Sequence, residues 1–272
     1  MNNSKRSEKS KGVIVFAFNT QVDYVAIADE TSKLISHNLK LPITLITDHD
    51  AIPKFEYDQI IRVDNQGATY RTEDSTIQWR NFGRYLAYDL SPYDETILLD
   101  TDYLVLDDSL LKLFNTAWDY KLMHHNYDEV GASYEMMGET SLPFIWATVV
   151  LFRKSAKSQM LFDLVGKIQR NYQYYRLLYN IREGNYRNDY AFAIANIILN
   201  GYSVSEYAGI PWKMFTLSDK IDKLLLDGSN IRVYFKESKP LFLPQQNIHI
   251  MDKEYLQTEH FKNFVRLHCE ST

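Results

Sequence analysis

Cysteine is almost absent from this 272-residue chain. Cys269, near the C-terminus, is the single thiol, which excludes an internal disulfide framework and fits a reducing compartment. Glycine is scarce and nowhere arranged as Gly-X-Gly-X-X-Gly or as a Walker-type loop, which argues against an ordinary dinucleotide or P-loop site. No apolar run approaches the roughly 20 residues of a transmembrane helix. Internal repeats, low-complexity linkers and a clear domain boundary are missing too, so one domain is expected. Net charge is only −5 and the pI is near 5.8, totals that do not mark a dedicated nucleic-acid binder.

What is present suits a compact enzyme. The apolar fraction of 45% is ordinary for a globular protein, and the length allows one large α/β core. Twenty tyrosines are unusual; most are expected as half-buried packing residues, with some free to stack on sugars or bases. Residues 1–11 are polar and basic and read as a disordered tail. The apolar run Gly12–Phe18 behind them is short and lacks a small-residue cleavage site. It therefore reads as a first strand rather than a signal peptide, and a cytoplasmic location is expected.

Strands and helices alternate from there. The strand at 12–18 leads to a helix at 24–37, where Tyr24, Ile27, Ala28, Thr31, Leu34 and Ile35 recur at helical spacing. Strands are predicted at 43–47, 59–63 and 96–99, with a helix at 76–90 carrying Trp79, Phe82, Leu86 and Leu90. This β-α-β order argues for a parallel, Rossmann-like sheet. Further on, 124–143 reads as an irregular loop with His124 and His125, 145–152 as a strand, 155–180 as one helix and 190–199 as an apolar helix. Segment 167–187 sets Lys167, Arg170, Arg176, Arg182 and Arg187 against one acidic residue, among five tyrosines. It is either a solvated helix face or a platform for a polyanionic or sugar acceptor.

The most informative stretch is Ile97-Leu98-Leu99-Asp100-Thr101-Asp102, an apolar strand that ends in two carboxylates at i and i+2. Ligands of open α/β sheets collect beyond the carboxyl ends of such strands. A second apolar segment, Tyr103-Leu104-Val105-Leu106, follows at once, so buried structure flanks the turn on both sides. Two close carboxylates repel each other; either the turn is solvated or caps a helix, or a divalent cation satisfies both.

In its flanks, Asp100-Thr101-Asp102 resembles the Asp-X-Asp motif of nucleotide-sugar glycosyltransferases of the GT-A fold, and most of all their glycogenin-like branch, glycosyltransferase family 8. The following Leu110-Leu111-Lys112-Leu113-Phe114 fits that branch's helix ending in Leu-Phe. The resemblance spans roughly residues 12–260 and implies an α/β, GT-A-like Rossmann-type mixed sheet flanked by helices in a single domain. Residues 12–262 would form that domain, with 12–106 as its nucleotide-binding half and 107–262 as its acceptor-binding half, followed by a tail at 263–272.

The resemblance also implies roles. Asp100 and Asp102 would hold manganese or magnesium with His249, a residue type manganese accepts beside carboxylates. Phe18, Asn19 and Tyr24, after the first strand, Asp48, after the second, and Thr101, within the motif, would contact the donor. Arg84, sixteen residues before Asp100, with Arg80 one turn earlier and Lys253 near the end, would share the charge of its diphosphate. Asn188-Asp189 resembles the family's polar pair near the sugar, and Asp189 is the candidate base should the enzyme invert. The donor expected is a nucleoside-diphosphate sugar, foremost a UDP-sugar, transferred with retention to a hydroxyl of a glycan, a protein or a modified nucleic-acid base. Two alternatives stay open: a haloacid-dehalogenase-type phosphatase or phosphotransferase, and a nucleotide-sugar-binding module without catalysis.

Overall fold

The computed structural model describes residues 9–64, 68–71, 76–79, 81–133, 136, 142–182, 184–203 and 208–271. At its centre is a six-stranded sheet of β1 (Lys11–Phe16), β2 (Ile43–Thr47), β3 (Gln59–Arg62), β6 (Glu95–Leu99), β8 (Tyr120–Met123) and β10 (Trp146–Arg153). Their order is β3-β2-β1-β6-β10-β8. The hairpin β4 (Ala68–Arg71) and β5 (Thr76–Trp79) lies between β3 and β6 in the chain. The first four strands of the order run parallel; β1, β2 and β6 are buried almost throughout, as strands covered on both faces are, and β3 is the largely exposed edge. β10 is antiparallel to both β6 and β8, so the sheet is mixed, as the resemblance implies, with its β-α-β part parallel.

Helix α1 (Tyr24–Leu39) starts where Asp23 accepts from the Ala26 N–H at 3.0 Å and Asn19 from the Val25 N–H at 2.9 Å. It buries the Ile27, Ala28, Leu34 and Ile35 stripe. α3 (Ala156–Arg170) and α5 (Asn188–Leu199) pack on one another, and α5 reaches β10. A second sheet runs β7 (Tyr103–Leu104), β15 (Ile248–Ile250), β11 (Met214–Leu217), β9 (Asn126–Asp128). Beside it stand the meander β12 (Ile221–Asp227), β13 (Asn230–Phe235), β14 (Leu241–Pro244) and helix α6 (Glu259–Ser271). One apolar cluster surrounds the six-stranded sheet, and a second joins Ile27 and Leu34 of α1 to Leu104, Leu106 and the C-terminal elements.

Three expectations are corrected. The helix predicted over 76–90 is strand β5, a 3-10 turn at Asn81–Leu86 and the single helical turn α2 (Ala87–Leu90). Apolar residues three or four apart suit a 3-10 path as well as an α-helix, and Thr76-Ile77 prefers the strand once β4 is beside it. The long helix at 155–180 breaks at Asn171, whose side-chain amide donates to the Lys167 carbonyl at 2.9 Å. The chain restarts as α4 (Tyr172–Leu178). Residues 263–271 are no tail; they continue α6, where Phe264 and Val265 close the second core. The predicted loop 124–143 contains β9, and 134, 135 and 137–141 of it lie outside the described residues. Among the described residues no helix is long and apolar enough to cross a membrane.

Candidate active site

The parallel strands β1, β2 and β6 present their carboxyl ends along one edge, and the aspartate turn leaves from the end of β6. The turn is fixed by its backbone: Asp100 N–H donates to the Thr148 carbonyl at 3.0 Å, and Tyr103 N–H to the Asp100 carbonyl at 3.2 Å. β7 follows and pairs antiparallel with β15, which sets His249 opposite Tyr103. The Ile250 N–H reaches the Asp102 carbonyl at 3.0 Å. Two segments far apart in the chain are thereby zipped together beside the two carboxylates. Asn247 seals the join: its Oδ1 accepts from the Leu106 N–H at 2.7 Å and the Asp107 N–H at 3.1 Å.

Asp100 meets a guanidinium. Arg84, wholly buried, donates from Nη1 to Asp100 Oδ1 at 2.5 Å and from Nη2 to the Ala147 carbonyl. The Ala147 N–H in turn donates to Asp189 Oδ1 at 2.9 Å, and Arg187 pairs with Asp189 Oδ2 at 2.7 Å. Ala147 of β10 is therefore held through both its N–H and its carbonyl, linking α5 through Arg84 to Asp100. Burial raises the Asp100 carboxyl above its ordinary range, against the pull of Arg84 and with the push of Asp102.

Asp102 has the opposite surroundings. Its Oδ2 is paired with Lys253 Nζ, which also donates to the Ile250 carbonyl at 2.8 Å. Its Oδ1 is buried without a hydrogen-bond partner, 3.6 Å from His249 Nε2. Burial works against the charged carboxylate, but Lys253 and then His249 outweigh it and hold the Asp102 carboxyl well below its ordinary range. His249 is oriented by Thr216, whose Oγ1 lies 3.4 Å from Nδ1, and by the edge of Trp146, 5.9 Å between ring centroids. Tyr24 faces the same carboxylates: burial, then the charges of Asp102 and Asp100, push its phenol up to about 12.

Of the residues singled out from the sequence, Asp100, Asp102, Tyr24, Arg84, Asp189, His249 and Lys253 converge on this place. Thr101 lies buried within the turn. Asn19 is used as a helix cap, and Phe18 is part of the first core. Half-buried Asp48 stands at the end of β2, where its carbonyl accepts from Arg62 at 2.9 Å. Asn188 is buried and accepts from the Tyr186 hydroxyl at 3.1 Å. Arg80 lies outside the described residues. Arg84 differs from its expected place: with no exposed surface, it stands behind Asp100 rather than open to a diphosphate. Thr216, Trp146 and Ala147 were not legible beforehand. Each lies in an apolar strand, and only the pairing of distant strands brings it here.

Among the described residues, no three His, Cys, Asp or Glu side chains already converge as a metal site. Arg84 draws Asp100 one way while Lys253 occupies one oxygen of Asp102. The donor set nevertheless fits a hard or borderline divalent ion, two carboxylates and an imidazole. The orphaned Asp102 Oδ1 and His249 Nε2 are 3.6 Å apart, beyond a hydrogen bond. Two ligands on a small ion with bonds of about 2.1 Å stand roughly 3–3.6 Å apart.

No protein-family model and no curated protein matches this sequence. Among solved structures the chain is similar to the glycosyltransferase GlyE of Streptococcus pneumoniae TIGR4, at 14% identity and TM-score 0.43, over 75% of this chain and 46% of that one. It is also similar to the galactosyltransferase LgtC, solved with donor and acceptor sugar analogs, at 14% identity and TM-score 0.44, over 68% and 69% of the two chains. This chain thus spans about half the length of GlyE. At such distances the likeness is one of chain path, and the chemistry has to come from this chain's own residues.

Proposed function

We propose that this protein is a metal-dependent glycosyltransferase that moves a sugar from a nucleoside-diphosphate donor to a hydroxyl. One observation carries the reading. A buried, ionised Asp102 keeps one oxygen without a partner beside His249 Nε2, at the carboxyl ends of the parallel strands. Leaving such an oxygen unsatisfied is costly in a finished structure, and a bound cation removes the cost.

Asp100, Asp102 and His249 would hold manganese or magnesium, which when bound supplies a Lewis acid for the leaving diphosphate. The chain's own groups do the rest. Arg84 holds Asp100 in place from behind. Lys253, partly exposed and now paired with Asp102, is the cation free to turn toward an incoming phosphate. Tyr24 closes the base side of the carboxylates with an un-ionised phenol. Both oxygens of Asp189 are engaged, by the Ala147 N–H and by Arg187, so it positions β10 rather than standing free as a base. That favours the retaining course, in which the departing phosphate accepts the acceptor's proton.

The phosphatase alternative needs Asp100 as a free nucleophile, and the buried Arg84 contact opposes that. Thermal-shift screening of uridine, guanosine, adenosine and cytidine diphosphates, with and without manganese, tests the proposal. A metal-dependent stabilisation by one of them is expected; at a hundredfold excess over the dissociation constant it amounts to roughly 2.7 kcal/mol. Stabilisation by none, together with phosphate release from an aryl phosphate, would replace this reading with the phosphatase one.

A further inference from the structure

Of the basic, tyrosine-rich segment, Arg187 alone was placed in the site just described. The geometry points to the bend from α3 into α4, with the neighbouring Tyr202, as a docking face for an anionic lipid surface, and this does not depend on the sugar-transfer reading. Leu177 is 71% exposed, Leu178 57%, Tyr174 64% and Tyr202 69%, a cluster of large apolar groups left in water. The cluster is continuous: the Tyr179 phenol lies close enough to that of Tyr202 for the two to interact, and the Tyr174 and Tyr175 rings meet edge-on at 5.3 Å.

Cations frame it. Lys167 and Arg170 leave the last turn of α3, and Arg176 lies within α4. Among the described residues none of the three is within ion-pair distance of a carboxylate; Arg176 bonds only Gln173 Oε1, at 2.6 Å, and two backbone carbonyls. Residues 167–187 carry five basic side chains against Glu183, a local balance of +4 in a chain whose total is −5. The positive charge is gathered where the apolar groups are exposed.

Charge decides between occupants. A second copy of this chain across a twofold axis would set one positive face against another. A nucleic acid would use the tyrosine faces but gain nothing from two exposed leucines, which offer no stacking surface. An anionic bilayer uses all three components. Leucines enter the headgroup boundary, tyrosines rest at it, and lysine and arginine reach the lipid phosphates.

Sedimentation of the full chain with vesicles tests this, using phosphatidylcholine alone and phosphatidylcholine with an equal part of phosphatidylglycerol, at physiological ionic strength. Binding to the anionic vesicles only is expected, weakened by high salt. The exposed pairs Leu177→Ser with Leu178→Ser, and Lys167→Gln with Arg170→Gln, should each lower it about tenfold or more while leaving the melting curve unchanged. Any one of four results would overturn the proposal: no binding to anionic vesicles, equal binding to both kinds, binding that neither double variant weakens, or a dimer in ultracentrifugation that the leucine variant dissociates.

Discussion

Asp100 and Asp102 leave one turn two residues apart and end in opposite surroundings. Asp100 belongs to the parallel half of the molecule, where a fully buried arginine from the same half pins it to a backbone carbonyl's neighbour and burial raises its pKa. Asp102 belongs to the join with the C-terminal elements, where a partly exposed lysine and an imidazole hold it ionised and one oxygen is left over. The difference separates a carboxylate that is fastened from one that is ready to exchange partners. Rigid placement comes from the parallel half, and the adjustable groups come from the far end of the chain.

The comparison breaks first at Arg84. Arg84→Met leaves Asp100 without its counter-charge and the Ala147 carbonyl without its donor, and should cost about 3 kcal/mol of stability in urea unfolding, the low end for a broken buried pair because Asp100 is partly exposed. A loss under about 1 kcal/mol would show that the arginine fastens nothing. Asp102→Asn should leave the fold intact yet lower sugar transfer by about two orders of magnitude, the size expected when a metal or charge stabiliser is lost. Full turnover in that variant, or in chelator, would contradict the assigned role.

Acid should act on the second half sooner than on the parallel one. Burial, and then the neighbouring His125, push the His124 imidazole down to about 4, from about 6.5 unfolded. The unfolded chain therefore binds the extra proton first, and this contribution to stability is whole above pH 6.5 and lost as the pH falls toward 4. The loss should reach about 2 kcal/mol by pH 5. Hydrogen exchange at pH 7 and pH 5 would check it: protection should fall first around β8 and β9, and His124→Phe should flatten the dependence. Lys253→Met sharpens the contrast with Arg84 at the small end. Its stability should fall by about 1–3 kcal/mol, because the buried Asp102 carboxylate loses its counter-charge. Binding of a nucleoside diphosphate should weaken roughly tenfold, and binding of the free nucleoside should not. Equal weakening of both would place the lysine away from the phosphates.

The same contrast explains what could be read from the sequence. Strand 43–47, the run ending at Asp100 and the helix after Asp23 were legible because local apolar patterning dictates them. His249 was named through the resemblance, from a His followed by Lys253 near the end of the chain; the edge pairing with Tyr103 is what brings it to Asp102. The hairpin β4–β5, the break at Asn171 and the reversal of β10 depend on contacts between segments, and spacing alone carries none of them. The burial of Arg84 was hidden for the same reason. Its offset from Asp100 is local, but the Ala147 carbonyl that completes its bonds comes from a strand sixty-three residues on.

The most direct measurement is a manganese titration of the wild type, His249→Ala and Asp102→Asn, followed by calorimetry. Saturable binding by the wild type is predicted, weakened at least about tenfold by His249→Ala and abolished by Asp102→Asn. Identical isotherms for all three proteins would contradict the account, and the unpartnered oxygen of Asp102 would then be no metal ligand.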